Sequence, residues 1–171
     1  MRKVGMEDLQ GRVWKFGDNV DTDAIVSGKY LDAPVEESSQ HVFESTRPEF
    51  VGEVKRGDII VAGSNFGCGS SRENAPETLK VLGIGCVLAE SFGRIFFRNA
   101  IAIGLPAVMC KGVSESFEDG DTARMELKEA RVDNVTRGGS LAAEPLSDDM
   151  LLILDAGGIL NVLKSMMGGE I

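Results

Sequence analysis

From Asp58 to Met109 the chain alternates short continuous apolar runs with segments at helical spacing, and that order leaves few folds open. Asp58-Ile59-Ile60-Val61-Ala62, Cys86-Val87-Leu88-Ala89 and Ala107-Val108-Met109 read as buried strands. Between them, 75–83 reads as a helix, and so does Phe92 to Ile103, opened by Ser91 and stopped by Gly104-Leu105-Pro106. A βαβαβ order implies an α/β fold with parallel pairing through right-handed crossovers. Upstream, Gly11 to Phe16 alternates polar and apolar residues, as a half-buried strand would. Downstream, Gly, Asp and Glu punctuate short alternating runs such as Ala123 to Leu127, which predicts hairpins. Asp148 to Met167 predicts a closing helix broken at Gly157-Gly158. The polar stretch Asp32 to Glu53, with Pro34 and Pro48, predicts a loop with a short helix around Ser38 to Glu44. The length of 171 residues fits one domain.

The first crossover carries the chemistry. Asn65-Phe66-Gly67-Cys68-Gly69-Ser70-Ser71-Arg72-Glu73 joins a strand to a helix through glycines, serines and an arginine. Unpaired N–H groups at a helix N-terminus attract anions, glycine lets a ligand come close, and Arg72 offers a planar fork for a carboxylate or phosphate. Ser70-x-x-Glu73 and Asn74-x-x-Glu77 also fit capping boxes, and Pro76 suits a first helical turn. On local pattern alone, capping without catalysis is the commoner origin of such a segment.

Composition removes other chemistries. A net charge of −9 argues against nucleic acid or an anionic membrane as a partner, so an anion site must be a local basic pocket. The first ten residues have no apolar leader core, and no apolar stretch approaches a membrane span, so a cytoplasmic protein is expected. Cys68, Cys86 and Cys110 are odd in number and widely spaced, which suggests reduced thiols rather than disulfides. Their spacing suits neither zinc nor an iron–sulfur cluster, so no metal is expected in this chain; Cys86 and Cys110 read as core residues. His41, the only histidine, lies in a polar stretch and is expected at the surface. There is no G-x-S-x-G elbow, no phosphate-loop lysine and no third glycine for a dinucleotide fingerprint. The acidic turn Gly17 to Asp23 resembles a calcium loop only loosely and reads equally as an Asx-rich turn.

Three stretches together resemble the small, swivelling-domain subunit of the aconitase family's isopropylmalate isomerases and homoaconitases. They are Asp21-Thr22-Asp23-x-Ile25, the serine loop 65–73, and Glu90-Ser91-Phe92-Gly93-Arg94-Ile95-Phe96-Phe97-Arg98-Asn99-Ala100. Lesser agreement appears in Gly11 to Gly17, Gly104-Leu105-Pro106 and Asp155-Ala156-Gly157-Gly158, so the likeness runs along nearly the whole chain. It implies a single β/β/α swivelling domain over 1–171, in three layers with a mostly parallel central sheet plus β-hairpins. It also implies a mobile substrate loop at about 28–53.

The family reaction dehydrates and rehydrates a di- or tricarboxylic acid, moving a hydroxyl to the adjacent carbon. In that family a [4Fe-4S] cluster sits in a large partner subunit, which the small subunit completes as a heterodimer or heterotetramer. Carried over by position, Ser70 is the base that removes a proton alpha to a carboxylate. Ser71 and Arg72 bind substrate carboxylate, and Asp23 is an active-site acid or, as read locally, an Asx turn. A serine hydroxyl barely ionises at neutral pH, so it needs adjacent positive charge and N–H donors. Arg94 and Arg98, four apart, are expected to meet the partner or to buttress the site. Asn74 stands where many relatives have histidine.

Tyr30-Leu31-Asp32-Ala33 occupies the specificity position. Homoaconitases typically place an arginine after Tyr-Leu, and isopropylmalate isomerases place apolar residues there. Asp32 would repel a distal carboxylate, and Ala33 could supply part of an apolar wall. The expectation is therefore a hydro-lyase subunit for isopropylmalate in leucine biosynthesis, with homocitrate-type or other malate derivatives as alternatives. Two further readings are a carboxylate-binding module and a structural relative that has lost its partner.

Overall fold

A computed structural model describes residues 8–70 and 74–168. One seven-stranded sheet organises them, in the order β4-β3-β2-β1-β5-β6-β7. The strands are β1 (Leu9–Lys15), β2 (Ile59–Ala62), β3 (Cys86–Ala89), β4 (Ala107–Met109), β5 (Thr122–Glu126), β6 (Arg131–Asn134) and β7 (Ser140–Ala142). The helices are α1 (Thr22–Ile25), α2 (Val35–Ser38), α3 (Phe50–Glu53), α4 (Asn74–Val81), α5 (Arg94–Ala102), α6 (Val113–Ser116), α7 (Asp148–Ala156) and α8 (Ile159–Met166). Strands β1 to β4 pair in parallel, as the βαβαβ order requires. β5 joins β1 antiparallel, and β6 and β7 continue as the expected hairpins.

Strands β2 and β3 are buried at every position because both sheet faces are covered. Ile60, Ala62, Val87 and Ala89 face one core with Trp14, Phe43, Phe50, Leu79 and Phe96. Ile59, Val61, Cys86 and Leu88 face the other, with Val113, Phe117, Met125 and Leu154. This gives helices, sheet, and a second layer of helix and hairpin, the three-layer α/β arrangement expected. The closing helix breaks where the two glycines predict: Gly157 takes φ 84° to end α7, and α8 begins one residue beyond Gly158.

The polar stretch after Asp32 is anchored more firmly than its composition suggests. Val42, Phe43 and Phe50 are fully buried, and Phe16, Phe43 and Phe50 form a ring cluster with centroids 4.3 to 6.3 Å apart. Helix there occupies α2, a 3₁₀ turn at Ser39–His41 and α3, so of the helix expected around Ser38 to Glu44 only the last residue of α2 and the 3₁₀ turn are helical. The guanidinium groups of Arg12 and Arg47 lie over the Trp14 ring at 4.2 and 4.7 Å, and the indole N–H donates to Asp58 at 2.9 Å. Arg47 also clamps Asp119 through two bonds of 2.9 and 3.1 Å, which ties the stretch to the hairpin half of the sheet.

Candidate active site

The chain emerging from the C-terminal end of β2 turns at once into the serine loop, and two distant segments hold it. On one side stands the acidic turn. Thr22 N–H donates to the Cys68 carbonyl at 2.9 Å, Gly67 N–H to the Val20 carbonyl at 2.7 Å, and the Thr22 hydroxyl to the Ser70 carbonyl at 3.1 Å. On the other side stands the turn after β3. Phe66 N–H donates to the Ser91 carbonyl at 3.0 Å, Gly93 N–H to the Phe66 carbonyl at 2.8 Å, and Asn65 N–H to the Ser91 hydroxyl at 2.8 Å. The three stretches that carry the family resemblance therefore meet in space.

Glycine is required at two of these contacts. A Cβ on Gly67 would stand 2.2 Å from the Phe96 ring, and Gly67 has φ +80°. A Cβ on Gly93 would stand 2.7 Å from the Gly67 carbonyl oxygen. Behind the loop, Phe66, Phe92 and Phe96 pack with centroids 5.3 to 6.2 Å apart, a rigid apolar floor under an exposed tip.

Ser70 is exposed at that tip, and its carbonyl accepts from Thr22, its one hydrogen bond among the described residues. Ser71, Arg72 and Glu73 lie outside the described residues. Asp23 is exposed on α1 and accepts from the Gly28 N–H at 3.1 Å, so it fastens the start of the 28–33 segment to the same helix that grips the loop. Asp21 is the N-cap of that helix, accepting from the Ala24 N–H at 2.7 Å. In the 28–33 segment Leu31 is 52% exposed, Asp32 is exposed and Ala33 half-buried. Tyr30 is half-buried and donates its hydroxyl to Glu44 at 3.2 Å. His41 stacks on Tyr30 at 4.0 Å and bonds the same carboxylate at 2.8 Å, so it is a partly buried anchor rather than a free surface residue. That imidazole, with help from Tyr30, holds Glu44 below the usual carboxylate range.

Other residues of the motifs serve the scaffold. Glu90 accepts the N–H groups of Gly112 and Ser114, both at 2.8 Å, and so seats the start of α6. Burial pushes its pKa up, but those donors outweigh burial and hold it below its ordinary value. Asn74 is the first described residue of α4, and its buried side-chain amide finds no hydrogen-bond partner among the described residues, so it does not act as a cap. Arg94 and Arg98 are exposed and make no ion pair among the described residues. The Ser91 hydroxyl is a loop-positioning group that local reading takes only as a helix start. Its partner Asn65 lies 26 residues away, beyond any local signal.

The cysteines stand in surroundings that disfavour cluster ligation. Cys86 and Cys110 are buried in the sheet region, where burial pushes both thiols up, Cys110 to about 11. Thiolate ligation needs the opposite environment. Cys68 is the only one near the loop, and no group of three His, Cys, Asp or Glu converges among the described residues. This donor set does not fit an iron–sulfur cluster. No helix among the described residues is long and apolar enough to cross a membrane.

Comparison with known proteins agrees with this geometry. Residues 18–111 match the aconitase C-terminal domain, a stretch that contains all three converging segments. The 3-isopropylmalate dehydratase small subunit 1 of Methanopyrus kandleri is 52% identical over 91% of this chain and 92% of its own length. The methanogen homoaconitase small subunit of Methanothermobacter thermautotrophicus is 51% identical over 90% of this chain and 89% of its own. The crystal structure of 3-isopropylmalate dehydratase from Methanocaldococcus jannaschii superposes with a TM-score of 0.88 at 40% identity, covering 94% of this chain and 95% of that one. By the family match and by the extent of these identities, this chain belongs to the aconitase C-terminal domain family.

Proposed function

We infer that this chain is the small subunit of a hydro-lyase that interconverts 2- and 3-isopropylmalate by dehydration and rehydration, in leucine biosynthesis. The observation that carries the reading is the convergence of the acidic turn, the serine loop and the Ser91–Gly93 turn at one exposed tip. Relatives over nine-tenths of the chain carry small-subunit names, which supports a large-subunit partner. On this reading the two form a heterodimer or heterotetramer in the cytoplasm. The [4Fe-4S] cluster of the family belongs to that partner, since this chain's cysteines do not suit it.

On this reading Ser70 takes the proton alpha to a carboxylate, and Ser71 and Arg72 hold that carboxylate. An exposed hydroxyl on a loop stiffened by Thr22, Ser91 and the Phe66–Phe92–Phe96 floor is placed without the freedom to swing away. The exposed, unpaired Arg94 and Arg98 form a local basic face on an acidic chain, suited to the partner or to a second carboxylate. The 28–33 segment sets specificity and closes with the partner. Leu31 and Ala33 offer apolar contact for an isopropyl group, and Asp32 disfavours a distal carboxylate. Identity alone does not separate the substrates, because the dehydratase and homoaconitase relatives stand within one per cent of each other.

The test is turnover. With a cluster-loaded cognate large subunit, the complex is expected to form the unsaturated intermediate from 3-isopropylmalate far faster than from a homoaconitase substrate. The reverse preference would transfer the chain to homoaconitase. Tight dicarboxylate binding by the chain alone, with no turnover in the complex, would make it a binding module.

A further inference from the structure

A cavity of about 360 Å³ opens at the end of the parallel sheet opposite the serine loop. Gly57, Gly85 and Pro106, which just precede β2, β3 and β4, border it, whereas the serine loop follows the far end of β2. Its wall is aliphatic, from Leu9, Ile84, Leu127 and Leu154. Its polar lining includes two cations, Arg56 and Lys80.

Neither cation makes an ion pair among the described residues. Lys80 donates to two carbonyl oxygens, those of Ile103 and Gly157, at the C-terminal ends of α5 and α7, which leaves one N–H unused. Burial without a counter-ion holds its pKa below the ordinary lysine value. The stem of Arg56 lies against Gly83, where a Cβ would approach it to 2.9–3.2 Å, and its guanidinium has no acidic partner among the described residues. One acid, Asp8, lines the cavity itself, and a second, Glu77, stands beside it. Asp8 is neutralised by Arg124 at 2.7 Å, and Glu77 borders a neighbouring groove without pairing with either cation. Backbone comes close to the space because Gly57, Gly83 and Gly104 all take positive φ. Small-ligand sites share this build, a largely apolar concavity of about 300–1,000 Å³ with a few polar groups that fix orientation.

We propose that this cavity is a second binding site, for a small monocarboxylate with a short, branched aliphatic tail. The head is held by the Arg56 fork and the remaining Lys80 N–H, and the tail lies on Leu9, Ile84, Leu127 and Leu154. An unpaired guanidinium can hold a carboxylate through two parallel N–H donors, and the aliphatic wall selects against a polar or second charged end. Occupancy there is independent of the serine loop, which lies at the other end of the strands.

The experiment is an amide-resolved NMR titration of the ¹⁵N-labelled full chain with 4-methylpentanoate. Its uncharged analogue 4-methylpentanamide is the control. Saturable shifts are expected at the Gly57, Gly83, Gly85 and Gly104 amides. Binding should weaken at least about tenfold for the amide and for Arg56→Gln, an exposed and unpaired position where folding is not at risk. Lys80→Gln gives a second reading, with an intermediate loss. Absence of saturable shifts, shifts centred on Gly67 and Gly69, or equal affinity for acid and amide would each overturn the proposal. Because the readout is binding at the far end of the sheet, these outcomes say nothing against the hydro-lyase reading.

Discussion

Thr22 is buried, and its hydroxyl donates to the Ser70 carbonyl at 3.1 Å while its N–H donates to Cys68 at 2.9 Å. It reaches the proposed base from 48 positions away, and the loop's own sequence gives no hint of it. Thr22→Val keeps the shape and deletes the donor. It is expected to cost about 0.5–1.5 kcal/mol in urea unfolding, and to lower kcat of the assembled enzyme more than it raises KM. Asp121 shows a second residue-scale effect. Its carboxylate accepts from the Glu118 N–H, then from Asn134 and Arg137, and is held below its ordinary value. A depressed folded pKa contributes stability that is fully present above the unfolded pKa of about 3.9 and is lost as pH falls through the folded value. Asp121→Asn should therefore be less stable than wild type at pH 7, and the gap should narrow as the pH falls below about 4. Urea midpoints at pH 7 and pH 3 check this, and a gap of constant size would contradict it.

At the scale of elements, β3 and β4 were legible to the residue because a strand buried on both faces writes itself as an unbroken apolar run. The helix break at Gly157-Gly158 was legible because a positive φ there requires glycine. The segment between Asp32 and Glu53 was not. Its three core residues, Val42, Phe43 and Phe50, fall at no regular period, and their partners Trp14 and Phe16 lie on β1 and just after it, far upstream. Asn74 reads as a cap for α4, yet it is already helical, with a buried side-chain amide that has no partner among the described residues. Within the candidate site the residue types could be read locally, but the register between loop, acidic turn and Ser91 depends on long-range pairing. That pairing predicts a sensitive joint. In Gly67→Ala the new methyl must meet the Phe96 ring in a left-handed backbone, so a loss of roughly 1–3 kcal/mol is expected by thermal unfolding. A change within a few tenths would show that the loop and α5 are not packed as described.

For the whole molecule, the sheet separates two ends. Beyond the C-terminal ends of the parallel strands lie the serine loop, α1 and the start of α5 with its unpaired arginines; at the opposite end lies the Arg56–Lys80 cavity. Arg94 and Arg98 add positive charge to one face of an acidic chain, and their neighbour Ile95 is 47% exposed. Both features suit a face that another subunit covers. On this account the chain supplies a stiff loop and its base, and the partner supplies the cluster. The most direct test of that division is kcat for Ser70→Ala in the complex reconstituted with the cluster-loaded large subunit, using 3-isopropylmalate. A general base contributes typically about 10²–10⁴-fold, so kcat is predicted to fall by that order with KM little changed. Full activity of Ser70→Ala in the same assay would contradict the account.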